Sequence, residues 1–387
     1  MQAVMLPTAD GRAEPFMPKE GCPFPATVQG GFPRVAYAAA HVVADPRAAI
    51  APFETAAVDW EATLRFRQHL WGLGFKIAEA MDTSQRGMGL DWKLAAELIR
   101  RSVALAKTVP AADLACGVGT DQLSPQPGVT LDQVRTAYLE QLGVVEQASG
   151  RAILMASRAL VKAARGREDY LRLYGELIGQ ATDKVVLHWL GPMFDPQLEG
   201  YWGSHDLDEA QDTLLELIHA HAARIDGVKM SLLDKEREVR FRAALPDGVK
   251  CFTGDDFNYA ELIEGDAARH SHALLGIFDP IARHASAALT ALGEGRVEDY
   301  RRILTPTVAL SRRIFEAPTR FYKSGVVFLA WLDGHQDHFA MVGGQQAARS
   351  AIHYADVFRL ASEARVLADP EMAARRMRTL MATFGVS

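Results

Sequence analysis

A closed (β/α)8 TIM barrel of the α/β class, carrying an N-terminal arm and a C-terminal helical extension, is the fold predicted for this chain. Three observations predict it. Eight short apolar runs alternate with longer helical patterns between Val35 and Phe278, which implies right-handed βαβ units and a parallel sheet. The open, doubly wound alternative lacks its usual signature: Gly117-Val118-Gly119 continues as Thr120-Asp121-Gln122, without the third glycine of a dinucleotide loop. After the eighth run more than 100 residues remain, and they read as helix alone.

The elements follow in order. Residues 1–33 form the arm, where Pro7, Pro15, Pro18, Pro23, Pro25 and Pro33 break any regular pattern and predict an irregular segment or edge hairpin packed onto the main domain. Residues 34–280 form the barrel, with strands at 35–41, 76–81, 113–117, 152–156, 185–190, 225–229, 249–253 and 273–278. The connecting helices are predicted over 60–73, 90–107, 131–148, 168–181, 207–223, 234–244 and 259–269. The extension, 281–387, contributes helices at 281–292, 297–316, 323–332, 345–363 and 370–384. Its recurrent Arg301, Arg302, Arg312 and Arg313 read as solvated heads on stems packed against apolar surface.

Composition bounds the function. With 387 residues, 49% hydrophobic and 23% charged, the chain is ordinary globular protein. A net charge of -6 with mixed signs offers no basic face for nucleic acid and no polybasic membrane anchor. The partners expected are a small-molecule substrate and further copies of the chain. Cys22, Cys116 and Cys251 are widely spaced and odd in number, which argues against a disulfide framework or structural zinc and for a cytoplasmic setting. No basic region leads an apolar core at the N-terminus, and no apolar run is long enough for a bilayer.

Barrels of this kind build their sites at the C-terminal ends of the strands. The polar residues found there are Asp82, Thr83 and Ser84 after the second strand and Ser157 and Arg158 after the fourth. His188 and Trp189 lie on the fifth, Lys229 and Ser231 on the sixth, and Thr253, Gly254, Asp255 and Asp256 follow the seventh. Lys250 belongs to a duplicate Asp-Gly-Val-Lys tetrapeptide, but it opens its strand and so points to the opposite, stability face.

The run Asp226-Gly227-Val228-Lys229, then Phe252-Thr253-Gly254-Asp255-Asp256, then Gly276-Ile277-Phe278 resembles the second half of the dihydrodipicolinate synthase / N-acetylneuraminate lyase family. Leu187-His188-Trp189-Leu190-Gly191-Pro192 is similar to that family's L-Y-N-x-P segment, and Met81-Asp82-Thr83-Ser84 to its carboxylate-holding G-T-T-G loop. The resemblance implies a class I aldolase-like barrel without cofactor, assembled as a homodimer or homotetramer, in which Lys229 forms the Schiff base. It also implies substrate contacts from Asp82, Thr83, Ser84, Trp189, Ser231, Thr253, Gly254 and Asp255. Two departures matter. The family's tyrosine pair at the end of strand four is replaced by Met155-Ala156-Ser157-Arg158, and Gln85 stands where the loop glycine belongs.

The residues carry a chemistry of their own. Lysine has a reference pKa of about 10.4, so a nucleophilic amine needs desolvation or a neighbouring cation. Arg158 is the candidate cation, and Met155 and Trp189 the candidate apolar neighbours. An imine on Lys229 is an electron sink for making or breaking an adjacent carbon–carbon bond, and His188 is the candidate proton carrier. The predicted catalytic set is therefore Lys229, His188 and Arg158, in a lyase acting on a small 2-oxo acid or related carbonyl compound. Two other readings stay open. One is a divalent-metal aldolase or hydrolase with ligands among Glu79, Asp82, His188, His205 and Asp255; the other is a non-catalytic barrel that binds a small acid. The loops around Trp202-Gly203-Ser204-His205 and Trp331–His338 are the expected seats of specificity.

Overall fold

The computed structural model describes residues 2–28 and 30–386. A two-stranded hairpin, β1 (Val4–Pro7) and β2 (Ala13–Phe16), precedes eight strands: β3 (Ala36–Ala39), β4 (Lys76–Glu79), β5 (Leu114–Val118), β6 (Arg151–Leu154), β7 (Val185–Leu190), β8 (Ile225–Ser231), β9 (Lys250–Thr253) and β10 (His272–Leu275). These eight pair in parallel and in chain order, and β10 closes onto β3. A parallel strand pair requires a crossover, and the connecting helices supply it. They are α1 (Trp60–Gly72), α2 (Trp92–Ala106), α3 (Leu131–Ala148), α4 (Arg158–Ala163), α5 (Arg167–Gln180), α6 (Leu207–His221), α7 (Lys235–Ala244) and α8 (Tyr259–Glu264). After β10 come α9 (Ala282–Gly293), α10 (Val297–Leu304), α11 (Thr307–Ile314), α12 (Tyr322–Leu332), α13 (Ala351–Glu363) and α14 (Pro370–Thr383).

Local chemistry explains where helices start and stop. Asp59, Asp91, Asp206 and Asp234 accept backbone N–H groups as N-caps, and Thr130 forms a capping box with Gln133. Four expectations are corrected. The helix expected over 259–269 ends at Gly265, whose φ of 87° cannot continue it. The one expected over 297–316 breaks into α10 and α11 around Pro306, which has no N–H to donate. The one expected to begin at 345 starts at Ala351, because Arg349 and Ser350 are extended and the Ser350 hydroxyl accepts from His353 N as the N-cap. The helix α4 has no counterpart in the sequence prediction and is started by Ser157, whose hydroxyl accepts from Leu160 N at 3.0 Å.

Strand alternation divides the core in two. Residues of one parity, among them Tyr37, Ala115, Ile153, Val186, Phe252 and Leu274, plug the barrel interior, while those of the other parity pack under the helices. The hairpin docks on the extension: Phe16 meets Phe358 edge-on at 5.9 Å, and Arg359 donates to Pro7 O at 3.1 Å. At the N-terminal face, Lys76 and Arg151 share Asp113, and Lys250 pairs with Asp226 at 2.5 Å. Lys250 thus belongs to the face away from the site. No described helix is long and apolar enough to cross a membrane.

Candidate functional site

Lys229 lies on the inward-facing parity of β8, above the apolar plug, and it is buried at 8% exposure. Parallel register sets it beside His188 of β7 on one side and Phe252 of β9 on the other. Its side chain leans toward β9, where Gly254 makes room: a Cβ there would fall 2.8 Å from Lys229 Cε and 2.2 Å from Ser231 Oγ. Burial pulls the amine below its usual range, while the Asp82 and Asp256 carboxylates pull it back up. The balance favours a neutral amine more than water would.

Around this amine the barrel gathers titratable groups. His188 shares a 3.2 Å contact with Ser231 Oγ through Nε2, and its Nδ1 is buried without a partner among the described residues. Burial first, and the neighbouring Lys229 second, hold the imidazole neutral, well below its usual titration. Asp256 accepts from Ile277 N at 2.9 Å. Burial pushes its carboxyl up to about 7, against the pull of Lys229. Such a group can hold or release a proton near neutrality.

The extension closes the top. Tyr322, at the start of α12, stacks on Phe315 with ring centroids 4.3 Å apart, and its hydroxyl lies 2.8 Å from Thr83 Oγ1. Gly276 makes space here, since a Cβ would meet Phe315, Tyr322 and Thr83 at 3.1, 3.2 and 3.3 Å. Gln85 does adopt the left-handed backbone of a glycine, at φ 64°. Its amide Nε2 ties that strained turn to the extension by donating to Val342 O at 2.8 Å.

A cavity of ≈ 210 Å³ is walled by Asp82, Ser157, Arg158, His188 and Asp195 among others; His188 is the wall residue paired in register with Lys229, which does not itself line it. Arg158 Nε donates to Asp195 Oδ2 at 2.5 Å. Arg86 is committed elsewhere: it pairs with Asp121 at 2.6 Å and donates to Gly117 O at 2.6 Å, tying the loop after β4 to the end of β5.

The family model described as "Protein of unknown function (DUF993)" matches residues 4–386. This chain belongs to the DUF993 family. No curated protein matches it in sequence. Among solved structures, the DUF993 chain is similar to dihydrodipicolinate synthase from Aquifex aeolicus, with TM-score 0.60 at 12% identity, covering 91% of this chain and 98% of that one. The enzyme of the same description from Thermotoga maritima gives 0.63 at 12% identity, covering 86% and 99%. That from Bacillus clausii gives 0.62 at 15% identity, covering 84% and 96%. The likeness is one of fold, a (β/α)8 barrel with a C-terminal helical extension, and it agrees with the architecture read from the sequence.

Against this geometry, the DUF993 barrel brings Lys229, His188, Ser231, Gly254, Asp82 and Thr83 together. Other expected site residues need correction. Trp189 and Thr253 have the outward parity. Trp189 is buried in the core beneath the helices, and Thr253 Oγ1 donates to Glu238 of α7 at 3.0 Å. The Ser84 hydroxyl is fully buried and donates to Met81 O at 2.6 Å. Asp255 spends its carboxylate on its own turn, accepting from Phe257 N, Asn258 N and Asn258 Nδ2. Arg158 reaches the cavity, yet the charges acting on Lys229 are those of Asp82 and Asp256.

The metal-ligand set does not converge. Glu79 is fully buried in a bidentate pair with Arg67, and His205 sits on the surface beside Glu199. The Trp202 loop packs against Tyr170 and Tyr174 of α5, away from the cavity. Asp256, named at the end of the seventh strand but left out of the expected catalytic and binding sets, was legible from parity, since 252, 254 and 256 share a face. Tyr322 was missed and carried no local signal, because helix packing alone brings it over the barrel.

Proposed function

We propose that this protein is a Schiff-base-forming carbon–carbon lyase of the aldolase type, acting on a small 2-oxo acid or related carbonyl compound. The observation that carries this reading is Lys229: a buried amine on the sixth strand, with no protein hydrogen-bond partner among the described residues, beside a neutral imidazole and a carboxyl poised near neutrality. Attack of the neutral amine on the carbonyl gives a carbinolamine, and loss of water gives the imine. Once protonated, the imine accepts the electron pair of the carbon–carbon bond one carbon away as it breaks, while the hydroxyl on the departing carbon gives up its proton and becomes the carbonyl of the first product; the resulting enamine takes a proton and water releases the second product.

In this scheme Asp256 and Asp82 face the positive charge that develops on the imine nitrogen. His188 and Asp256 exchange protons with the substrate, because both lie beside Lys229 and neither is locked in an ion pair. The Tyr322–Thr83 hydrogen bond supplies a hydroxyl pair where the family's strand-four tyrosines are absent. Arg158 belongs to substrate binding in this reading. Assembly as a homodimer or homotetramer is part of the proposal and rests on the family resemblance. A cytoplasmic setting is supported by the three free cysteines.

The test is inactivation by borohydride. Incubation with a panel of 2-oxo acids and aldehydes, followed by reduction, is expected to leave the protein heavier by one reduced substrate and unable to turn over. A protein that keeps its mass and cleaves substrate in a chelator-sensitive way contradicts the proposal.

A further inference from the structure

The loop after β4 is the part of the site that the family resemblance assigns to a substrate carboxylate, yet its hydrogen bonds are committed elsewhere. Ser84 turns its N–H and its hydroxyl back onto Met81 O, at 3.1 and 2.6 Å, and Gln85 N donates to Asp82 O at 3.0 Å. Thr83 Oγ1 shares one proton with the Tyr322 hydroxyl across 2.8 Å, which leaves a single hydroxyl proton between them. What the loop presents to the cavity is the carboxylate of Asp82. It walls the cavity together with His188, the register neighbour of Lys229, and it accepts no hydrogen bond among the described residues.

The other charges of the wall do not offset it. Three carboxylates, Asp82, Asp121 and Asp195, face two guanidiniums, Arg86 and Arg158. Arg86 has its N–H groups committed to Asp121, Gly117 O, Ala80 O and Gln141, and Arg158 forms a neutral pair with Asp195. Lys323, which follows Tyr322 on α12 and is a second buried amine at 6% exposure, does not line the cavity; its Nζ donates to Arg320 O at 3.1 Å and sits 3.4 Å from Met88 Sδ. A protonated imine on Lys229 adds one positive charge, which Asp82 alone balances and Asp256 exceeds once ionised. A carboxylate bonded to the carbonyl carbon would therefore enter without a cation of its own, and carboxylates sharing a site repel until one takes a proton.

Resting on the imine reading, we propose that the carbonyl carbon delivered to Lys229 bears a hydroxyl-carrying carbon in place of a carboxylate, so that the preferred substrate is a neutral α-hydroxy carbonyl compound whose hydroxyl donates to Asp82. Asp82 is then a specificity-determining residue. It favours the hydroxyl through a charge-assisted hydrogen bond and disfavours an acid through like charge. A 2-oxo acid still forms the imine, more slowly, because the amine and the groups that carry protons are the same.

The test compares hydroxyacetone with pyruvate, three-carbon ketones that differ at this one group. Borohydride trapping of each is referred to its trapping by Nα-acetyl-lysine, which removes the difference in intrinsic carbonyl reactivity. On that scale hydroxyacetone should trap about tenfold faster than pyruvate at equal, sub-saturating concentration. Asp82→Asn, which keeps an acceptor and removes the charge, should bring the two rates together. An arm without the imine uses the Lys229→Ala protein and carbonyl-free analogues: propane-1,2-diol should gain saturation from the protein in ligand-observed NMR, lactate should not, and adding Asp82→Ala should remove the diol signal. Pyruvate trapping as readily as hydroxyacetone, a preference unchanged in Asp82→Asn, or equal binding of diol and lactate overturns the proposal. So does a pyruvate preference that Arg158→Gln abolishes, which would seat the acid on the guanidinium. Diol-selective binding without trapping of either ketone strikes the imine alone, and the absence of both strikes both.

Discussion

Gly254 offers the sharpest perturbation of the lysine's position. Replacing it with alanine places a methyl carbon 2.2 Å from Ser231 Oγ, 2.8 Å from Lys229 Cε and 2.9 Å from Met230 O, all far inside the usual contact separation of about 3.5–4.0 Å. The Ser231 hydroxyl can rotate away, at the expense of its contact with His188. The Met230 carbonyl cannot move freely, because it accepts from Gly254 N at 2.7 Å within the barrel. The strain therefore falls on the Lys229 stem, which must swing by roughly 1 Å to restore ordinary contact. Overpacking of this size costs about 1–3 kcal/mol of stability, and a 1 Å misplacement of a reacting group costs about 100-fold in rate. The assay is the rate of borohydride trapping with a 2-oxo acid, alongside circular dichroism to show a folded barrel. Gly143→Ala, at a helical site with open space around the added methyl, is the control and should trap at the wild-type rate. A Gly254→Ala protein that traps equally fast would refute the placement of the reacting amine.

Three further outcomes follow from the same geometry. The Asp256 carboxyl, raised to about 7 by burial, titrates near 3.9 when unfolded. Its stabilising contribution is complete below about pH 4 and is lost as pH rises to about 7, so wild type should lose about 3 kcal/mol relative to Asp256→Asn between pH 5 and 8 in denaturant titrations; parallel pH profiles contradict this. Tyr322→Phe keeps the Phe315 stack and removes the hydrogen bond to Thr83; it should destabilise by about 1 kcal/mol and lower turnover while leaving trapping intact. Arg67→Leu leaves the Glu79 carboxylate buried without its partner and should cost about 3–5 kcal/mol in unfolding experiments, with near-zero loss showing that water reaches the pair.

Much of this architecture is written in local patterns. All eight strands are visible because a barrel strand buried on both faces is a short apolar run bounded by turn residues, and most helices are visible because their caps and periodicity are local. The Lys229 neighbourhood is visible for the same reason: strand parity and parallel register place His188, Ser231, Gly254 and Asp256 around it. Parity also shows why Trp189 and Thr253 fail as site residues, since each is one position out of phase. Tyr322 and Lys323 are a different case. They lie more than 90 positions after Lys229, on a helix whose place over the barrel mouth depends on packing with α11, α13 and α14, and nothing in their own segment encodes that arrangement. The left-handed turn at Gln85 is hidden likewise, because its support comes from Val342 of the extension.

Lys229, and neither its buried companion Lys323 nor the tetrapeptide duplicate Lys250, is the amine expected to react. The most direct measurement is peptide mapping by mass spectrometry after borohydride reduction in the presence of a 2-oxo acid that is turned over. One reduced adduct per chain is expected, on the peptide containing Lys229, and none in the Lys229→Ala protein. An adduct on Lys323 or Lys250, or full turnover by Lys229→Ala, would contradict it.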